Sequence, residues 1–173
     1  MIKYIAFFII ALMYGPALFA DTIIQRELES PELVGSGEFR TMFWKIYEAE
    51  LHAKDGEFSE DTPFALKLTY SRKLKGNLIT DKSIELIRKQ GIEDETLLAD
   101  WHEQLNDIFP DVQNGTEIVG VHTVGVGTKF YVDGEDSGLI TDPRLCRSFF
   151  DIWLGEDTTA PKLRSKLLGL KNN

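Results

Sequence analysis

The sequence predicts an α+β fold with a mostly antiparallel sheet, and three observations carry that expectation. Segments with strand-like alternation fall in two groups, separated by two helical segments. Tight-turn dipeptides, Asn114-Gly115 and Asp133-Gly134, bound the later strands. The helical segments open on capping residues and close on glycine or proline. Strands, helices, strands, helices, with no repeat and no linker, is the order of an α+β domain.

The N-terminus stands apart from that pattern. Lys3 precedes an apolar run from Tyr4 to Tyr14, Gly15-Pro16 breaks it, and Leu18-Phe19-Ala20 offers a cleavage tripeptide before Asp21. The pattern predicts a signal peptide over residues 1–20 and a periplasmic or secreted domain over residues 21–173. The run is short for a membrane span and lacks a positive flank, and no later run is long enough to span. The chain has 173 residues and a formal net charge of −9. The signal segment holds one lysine and no acid, so the remainder is more acidic still. That balance argues against nucleic acid and against anionic membrane surfaces as partners. A single cysteine, Cys146, leaves no internal disulfide and lies in an apolar helical stretch, which predicts a buried thiol.

Asp21 to Pro31 is polar and predicts an irregular lead-in. Leu33 to Ala53 follows, an aromatic-rich stretch opened by a Gly35-Ser36-Gly37 turn and long enough for one bent strand or a hairpin. With period two, Arg40, Met42, Trp44 and Ile46 share one face, and Phe39, Thr41, Phe43, Lys45 and Tyr47 the other. Neither is cleanly polar, as in a strand covered on both sides. Beyond Tyr47 the apolar parity passes to Ala49, Leu51 and Ala53, and a bulge near Glu48 would restore it. After an acidic loop, Phe64 to Tyr70 alternates well enough to predict a strand with one buried face. The next helix takes Thr80 as N-cap, Ile84 and Ile87 as inner stripe and Gly91 as its stop. Another starts near Asp94, runs through Leu97, Leu98, Trp101, Leu105 and Ile108, and closes at Pro110. Strands are predicted over Glu117–Val124, Thr128–Val132 and Ser137–Ile140. Asp142 with Pro143 opens a helix that Gly155 ends, and Thr158 or Thr159 caps a last one.

Few residues suggest chemistry. Gly125-Val126-Gly127-Thr128 lacks the lysine and the helix of a phosphate loop and reads as a bend between strands. Asp133-Gly134-Glu135-Asp136 does not fit a calcium loop and reads as a hairpin turn. His52, His102 and His122 are not paired at ligand spacing, so no metal is expected. There is no Gly-x-Ser-x-Gly nucleophile motif. Asp94, Glu95, Glu103 and Asp107 read as a solvated helix face. Trp101, Phe149, Phe150 and Trp153 sit at helical spacing, as core or as the rim of an apolar cavity. Arg40 is the exception. A cation in an apolar row must reach water or meet an anion, either a carboxylate of the protein or the head of a ligand.

Four stretches together resemble the chalcone isomerase-like family, specifically its short bacterial secreted branch. They are Gly35-Ser36-Gly37-Glu38-Phe39-Arg40 running into Phe43-Trp44-Lys45-Ile46-Tyr47, the segment Thr80 to Gly91, the hairpin from Gly115 through Phe130-Tyr131 to Gly138, and Ser148-Phe149-Phe150-Asp151-Ile152-Trp153-Leu154-Gly155. The resemblance implies an open-faced β-sandwich, a large antiparallel sheet with a flanking helical layer and a ligand cleft between them. Members include plant enzymes that close a chalcone to a flavanone, non-catalytic fatty-acid binders, and helper proteins. The family's key arginine falls on Arg40, with one extra residue after the glycine. Its catalytic threonine falls on Tyr47 and its tyrosine near Ile79, beside Thr80, so the isomerase hydroxyls are not reproduced in place.

The resemblance and the residues together lead to an expected function. It is a periplasmic, non-enzymatic binder of a small amphipathic carboxylate such as a fatty acid, without a cofactor. Arg40 would pair with the carboxylate, Met42, Trp44, Ile84 and Ile87 would take the apolar tail, and Tyr47 would add a hydrogen bond. Two alternatives stand beside it. One is an intramolecular lyase of the chalcone isomerase type that uses Arg40. The other is a structural or partner-binding domain in which Arg40 closes an internal salt bridge.

Overall fold

A computed structural model describes residues 17–170. A helix, α1 (Ala17–Glu27), leads into β1 (Pro31–Thr41), β2 (Trp44–Lys54) and β3 (Phe64–Tyr70). Two helices follow, α2 (Gly76–Arg88) and α3 (Glu95–Ile108), then β4 (Glu117–Thr123), β5 (Gly127–Val132) and β6 (Glu135–Ile140). The last elements are α4 (Pro143–Leu154) and α5 (Pro161–Leu167). The six strands form one sheet in chain order, every neighbouring pair antiparallel. This is the α+β, open-faced architecture the sequence predicts.

Alternation decides which face each strand gives to the helices. Leu51, Leu66, Leu68, Ile118 and Phe130 point to one side and pack with Ile87, Trp101, Leu105, Phe149 and Leu163 of α2 to α5. Ala65, Val119, Val121 and Tyr131 point to the other and meet only α1, through Ala20, Ile23, Ile24 and Leu28. Asp94 and Asp142 cap α3 and α4, each carboxylate accepting two backbone N–H groups, as the sequence indicates. Asp142 also accepts the indole N–H of Trp101 at 2.8 Å, tying the two helices together.

Several local expectations are corrected. The lead-in is helical, because Ala20, Ile23, Ile24 and Leu28 recur at helical spacing among polar residues. The helix runs across the expected cleavage point after Ala20; the rest of the expected signal segment, through residue 16, lies outside the described residues. Gly35-Ser36-Gly37 is not a turn but part of β1. A Cβ on Gly35 would overlap the Lys166 carbonyl and one on Gly37 the Leu163 side chain, so these glycines let α5 lie close on the strand. Helix α2 starts at Gly76, not at Thr80, which is fully buried inside it. Its first N–H is capped across space, Gly76 donating to the Asp111 carboxylate at 3.0 Å. The last helix has Ala160, not a threonine, at its N-cap.

The bulge lies at Ile46 rather than near Glu48. Phe39 pairs with Tyr47 and Arg40 with Lys45, leaving Ile46 as the extra residue on β2. The consequence reaches the site, because Ile46 and Tyr47, although consecutive, both face the helical layer's side of the hairpin.

Candidate functional site

Near the turn that joins β1 to β2, the sheet and the helical layer part, leaving a cavity of about 490 Å³. The hairpin contributes Phe39, Thr41, Ile46 and Tyr47, and β3 contributes Leu68 and Tyr70. Helix α2 supplies Leu78, Ile79, Ser83 and Leu86, while α4 supplies Phe149, Ile152 and Trp153. The volume lies in the range of ordinary small-molecule sites, and the walls are mostly apolar.

Two phenols set its chemistry. Tyr47 stacks on Phe39 at 5.1 Å between centroids and meets Tyr70 edge-on at 5.7 Å. Its oxygen accepts the indole N–H of Trp153 at 2.9 Å, which leaves its own O–H free to donate. Tyr70 is 4% exposed and ends the inward stripe of β3, and its hydroxyl makes no hydrogen bond among the described residues. Burial pushes both phenols well above their ordinary pKa, so they remain neutral donors. Among the described residues the cations in the lining are Lys82 and Lys89; both are exposed, and both bind Glu85, at 2.8 and 2.7 Å. The arrangement can take an apolar body, offer hydrogen bonds to an oxygen within, and meet an anionic group only at the rim.

The six residues expected to bind ligand do not converge. Tyr47 alone lines the cavity. Arg40 is not inward; the neighbouring positions Phe39 and Thr41 take the cavity side, and Arg40 turns to the outer side. Its side chain is 52% exposed and donates to Glu38 at 2.7 Å, so water and a carboxylate already solvate the cation. Met42 forms the hairpin turn and Trp44 follows it, both exposed. Ile84 and Ile87 belong to the packed core under α2 rather than to the cavity wall. Ile79, the position aligned with the family's tyrosine, does line the cavity, whereas Thr80 does not. Tyr70 went unrecognised as a site residue, although a hydroxyl ending an otherwise apolar inward stripe was a readable signal.

A second cleft of about 510 Å³ lies along another face of α4, from Pro143 to Leu154, and reaches the Val124–Val126 turn. In its lining Arg147 lies between Glu60 at 3.0 Å and Asp151 at 3.7 Å, Arg144 lies over the Trp101 ring, and the His122 ring contacts the Thr128 hydroxyl at 3.1 Å. Cys146 is buried, and its thiol donates to the Ile140 carbonyl. Among the described residues no group of His, Cys, Asp and Glu could hold a metal ion, and no helix is long and apolar enough to cross a membrane.

Comparison with known proteins follows the architecture. The chain is similar in structure to a fatty-acid binding protein of Arabidopsis thaliana, seen in a crystal structure, with a TM-score of 0.62 and 16% identity over 81% of this chain and 87% of that one. No curated protein sequence matches. The profile of chalcone isomerase-like proteins matches residues 19–169, from within α1 to just past α5. A match over nearly the whole chain, joined to the same sheet and helical layer, makes this protein a member of the chalcone isomerase-like family.

Proposed function

We propose that this protein is a non-enzymatic binder of a small amphipathic carboxylate, with a fatty acid as the preferred ligand, working in the periplasm to which its N-terminal run points. The observation that carries this reading is the apolar cavity of about 490 Å³ with its rim of lysines. The tail lies inside, against Leu68, Leu86, Phe149 and Ile152. The carboxylate stays at the rim, near Lys82 and Lys89. Orientation follows from solvation: beside Tyr70 the carboxylate would be buried without a cation, at a cost of several kcal/mol, whereas at the rim it keeps water and a positive neighbour. Arg40 has no part in this arrangement.

A fluorescent acyl probe tests it. The probe should bind the wild-type protein and be displaced by long-chain fatty acids. Leu86→Trp fills the cavity from a half-buried position and, with an unchanged denaturation midpoint as the control for folding, should weaken the probe by tenfold or more, about the affinity carried by one well-buried apolar side chain. Equal binding by wild type and Leu86→Trp removes the cavity as the site. Native mass spectrometry of protein from its own host should find an acyl carboxylate bound, and a chalcone cyclised at the uncatalysed rate would dispose of the lyase alternative.

A further inference from the structure

The turn that opens the cavity is chemically out of place. Two-residue hairpin turns favour glycine, asparagine or aspartate, because they force a positive φ. Here the turn residues are Met42 and Phe43, and Met42 takes φ 51°. Met42, Phe43 and Trp44 are 87%, 85% and 60% exposed, the three most exposed large apolar side chains among the described residues. A thioether in the left-handed region and two aromatic rings in water are costly together, and among the described residues only Arg72, over one face of Trp44, packs on them. Strain and exposure at one spot point to something outside the chain.

The surroundings indicate what. Arg40, Lys45, Arg72 and Lys73 line one shallow depression with Phe43 and Trp44. Glu38 binds Arg40 and Lys45, and Glu48 also binds Lys45. Arg72 lies over the Trp44 ring, 4.4 Å from its centroid; among the described residues neither Arg72 nor Lys73 has a carboxylate at ion-pair distance, and Lys73 feels only the more distant Asp111, which is bound to Lys75. Unpaired cations beside exposed aromatics, in a chain of net charge −9, make a local basic and apolar patch. The overall charge that disfavours an anionic surface acts at long range; within a Debye length, about 8–10 Å, the local cations dominate.

We propose that the β1–β2 hairpin tip docks on an anionic lipid bilayer, Met42, Phe43 and Trp44 entering the headgroup region while Arg72 and Lys73 meet the lipid phosphates. Aromatic side chains settle at that depth, and basic residues beside them add electrostatic attraction. The inference rests on the cavity as the ligand site and deepens it. Phe39, Thr41 and Ile46, next to the tip of the same hairpin, line the cavity, so docking sets its mouth on the bilayer and makes an acyl chain the cargo that can pass between them.

Trp44 supplies the readout. Trp101 is fully buried and Trp153, 6% exposed, lines the cavity, so the part of the lipid response that disappears in Trp44→Phe reports the tip. On phosphatidylglycerol vesicles the emission should shift to the blue and be quenched by brominated acyl chains. Partitioning should fall about tenfold in Phe43→Ser, the loss expected for one aromatic side chain kept out of the lipid. It should fall several-fold in Arg72→Gln/Lys73→Gln and with added salt, and phosphatidylcholine vesicles should bind more weakly. An N-terminal apolar segment reaching the bilayer would act equally in wild type and variants. Equal partitioning of wild type and Phe43→Ser, or no shift in Trp44, overturns the proposal. Tip-dependent self-association without vesicle binding overturns it in favour of a protein contact. The acyl probe reads the cavity separately and should bind Phe43→Ser as it binds wild type. Docking without probe binding would sink the cavity reading, and probe binding without docking would sink this one.

Discussion

The inner face of the sheet buries Leu51, Leu66 and Phe130 beneath four helices, whereas the outer face buries a lysine beneath one. Lys67 is 6% exposed, with its ammonium 2.6 Å from Glu50 and 3.1 Å from Asp21 of α1. Close by, Glu117 is also buried, and one of its oxygens has no partner. The inner face thus coheres through apolar contact, which has no charge to lose, and can leave a cavity at one end. The outer face coheres partly through charges, whose balance shifts with pH. The difference places the cavity on one face and the buried charges that respond to acid on the other.

The comparison breaks most visibly at Leu51. It is fully buried between β1 and β3 in the inner core, and Leu51→Ala should cost about 4 kcal/mol, in the upper part of the range for a buried leucine. Chemical denaturation should give the same loss at pH 5 and pH 8, because no titratable group is removed.

Lys67→Met should cost about 3 kcal/mol at pH 7, since among the described residues it leaves the mostly buried Glu50 carboxylate with no cation at ion-pair distance but His52, neutral at that pH. Unlike the Leu51 variant, its loss should depend on pH. In the wild type, a hydrogen bond from His52 and the pairing with Lys67 outweigh burial and hold Glu50 down to about 2, against an ordinary 4.5. A depressed carboxyl contributes stability that is complete above its unfolded pKa and lost as pH falls through the folded one. The window is therefore about pH 4.5 to 2. Without Lys67 the folded value rises, the window narrows, and the two proteins should converge in stability toward pH 2. Parallel curves would mean that Lys67 acts through packing alone.

Glu117→Gln should act with the opposite sign. Burial, partly offset by Lys67, raises this carboxyl above its ordinary 4.5. Its contribution is complete below the unfolded pKa and is lost as pH rises through the folded one. Removing the charge should therefore stabilise the protein by about 1 kcal/mol at pH 8 and change nothing near pH 4.

How much of this was legible in the sequence follows from what each signal depends on. The strand Phe64–Tyr70 and the capped helices opened by Asp94 and Asp142 were readable because their periodicity and caps lie in consecutive residues. The start of α2 was not, because its cap, Asp111, is 35 residues away in sequence. Arg40 shows the sharper limit. Its alternation with apolar neighbours is real, but which row of β1 faces inward is set by the pairing of β1 with β2 and the packing of the helices on one side, neither of which is local in sequence. The cavity was legible only in part for a related reason: it is space left between elements, and of its wall Tyr47, Ile79, Phe149 and Trp153 stand out in the sequence while Tyr70 and the rest of α2 do not.

The smallest expected effect tests the cavity most directly. Tyr70→Phe removes one oxygen that has no partner among the described residues, so stability should stay within about 0.5 kcal/mol of wild type. A larger loss would mean that the hydroxyl is structural and that the cavity wall offers no free donor there. With stability unchanged, ligand discrimination becomes the measure. A saturated fatty acid held by its carboxylate at the rim has no oxygen at the depth of Tyr70 and should bind the variant as it binds wild type. A hydroxy or keto acid whose oxygen reaches the phenol should bind the variant several-fold more weakly, since one neutral hydrogen bond contributes about 1 kcal/mol. Equal weakening of the plain fatty acid would place its carboxylate inside, against the phenols, and reverse the orientation argued from solvation.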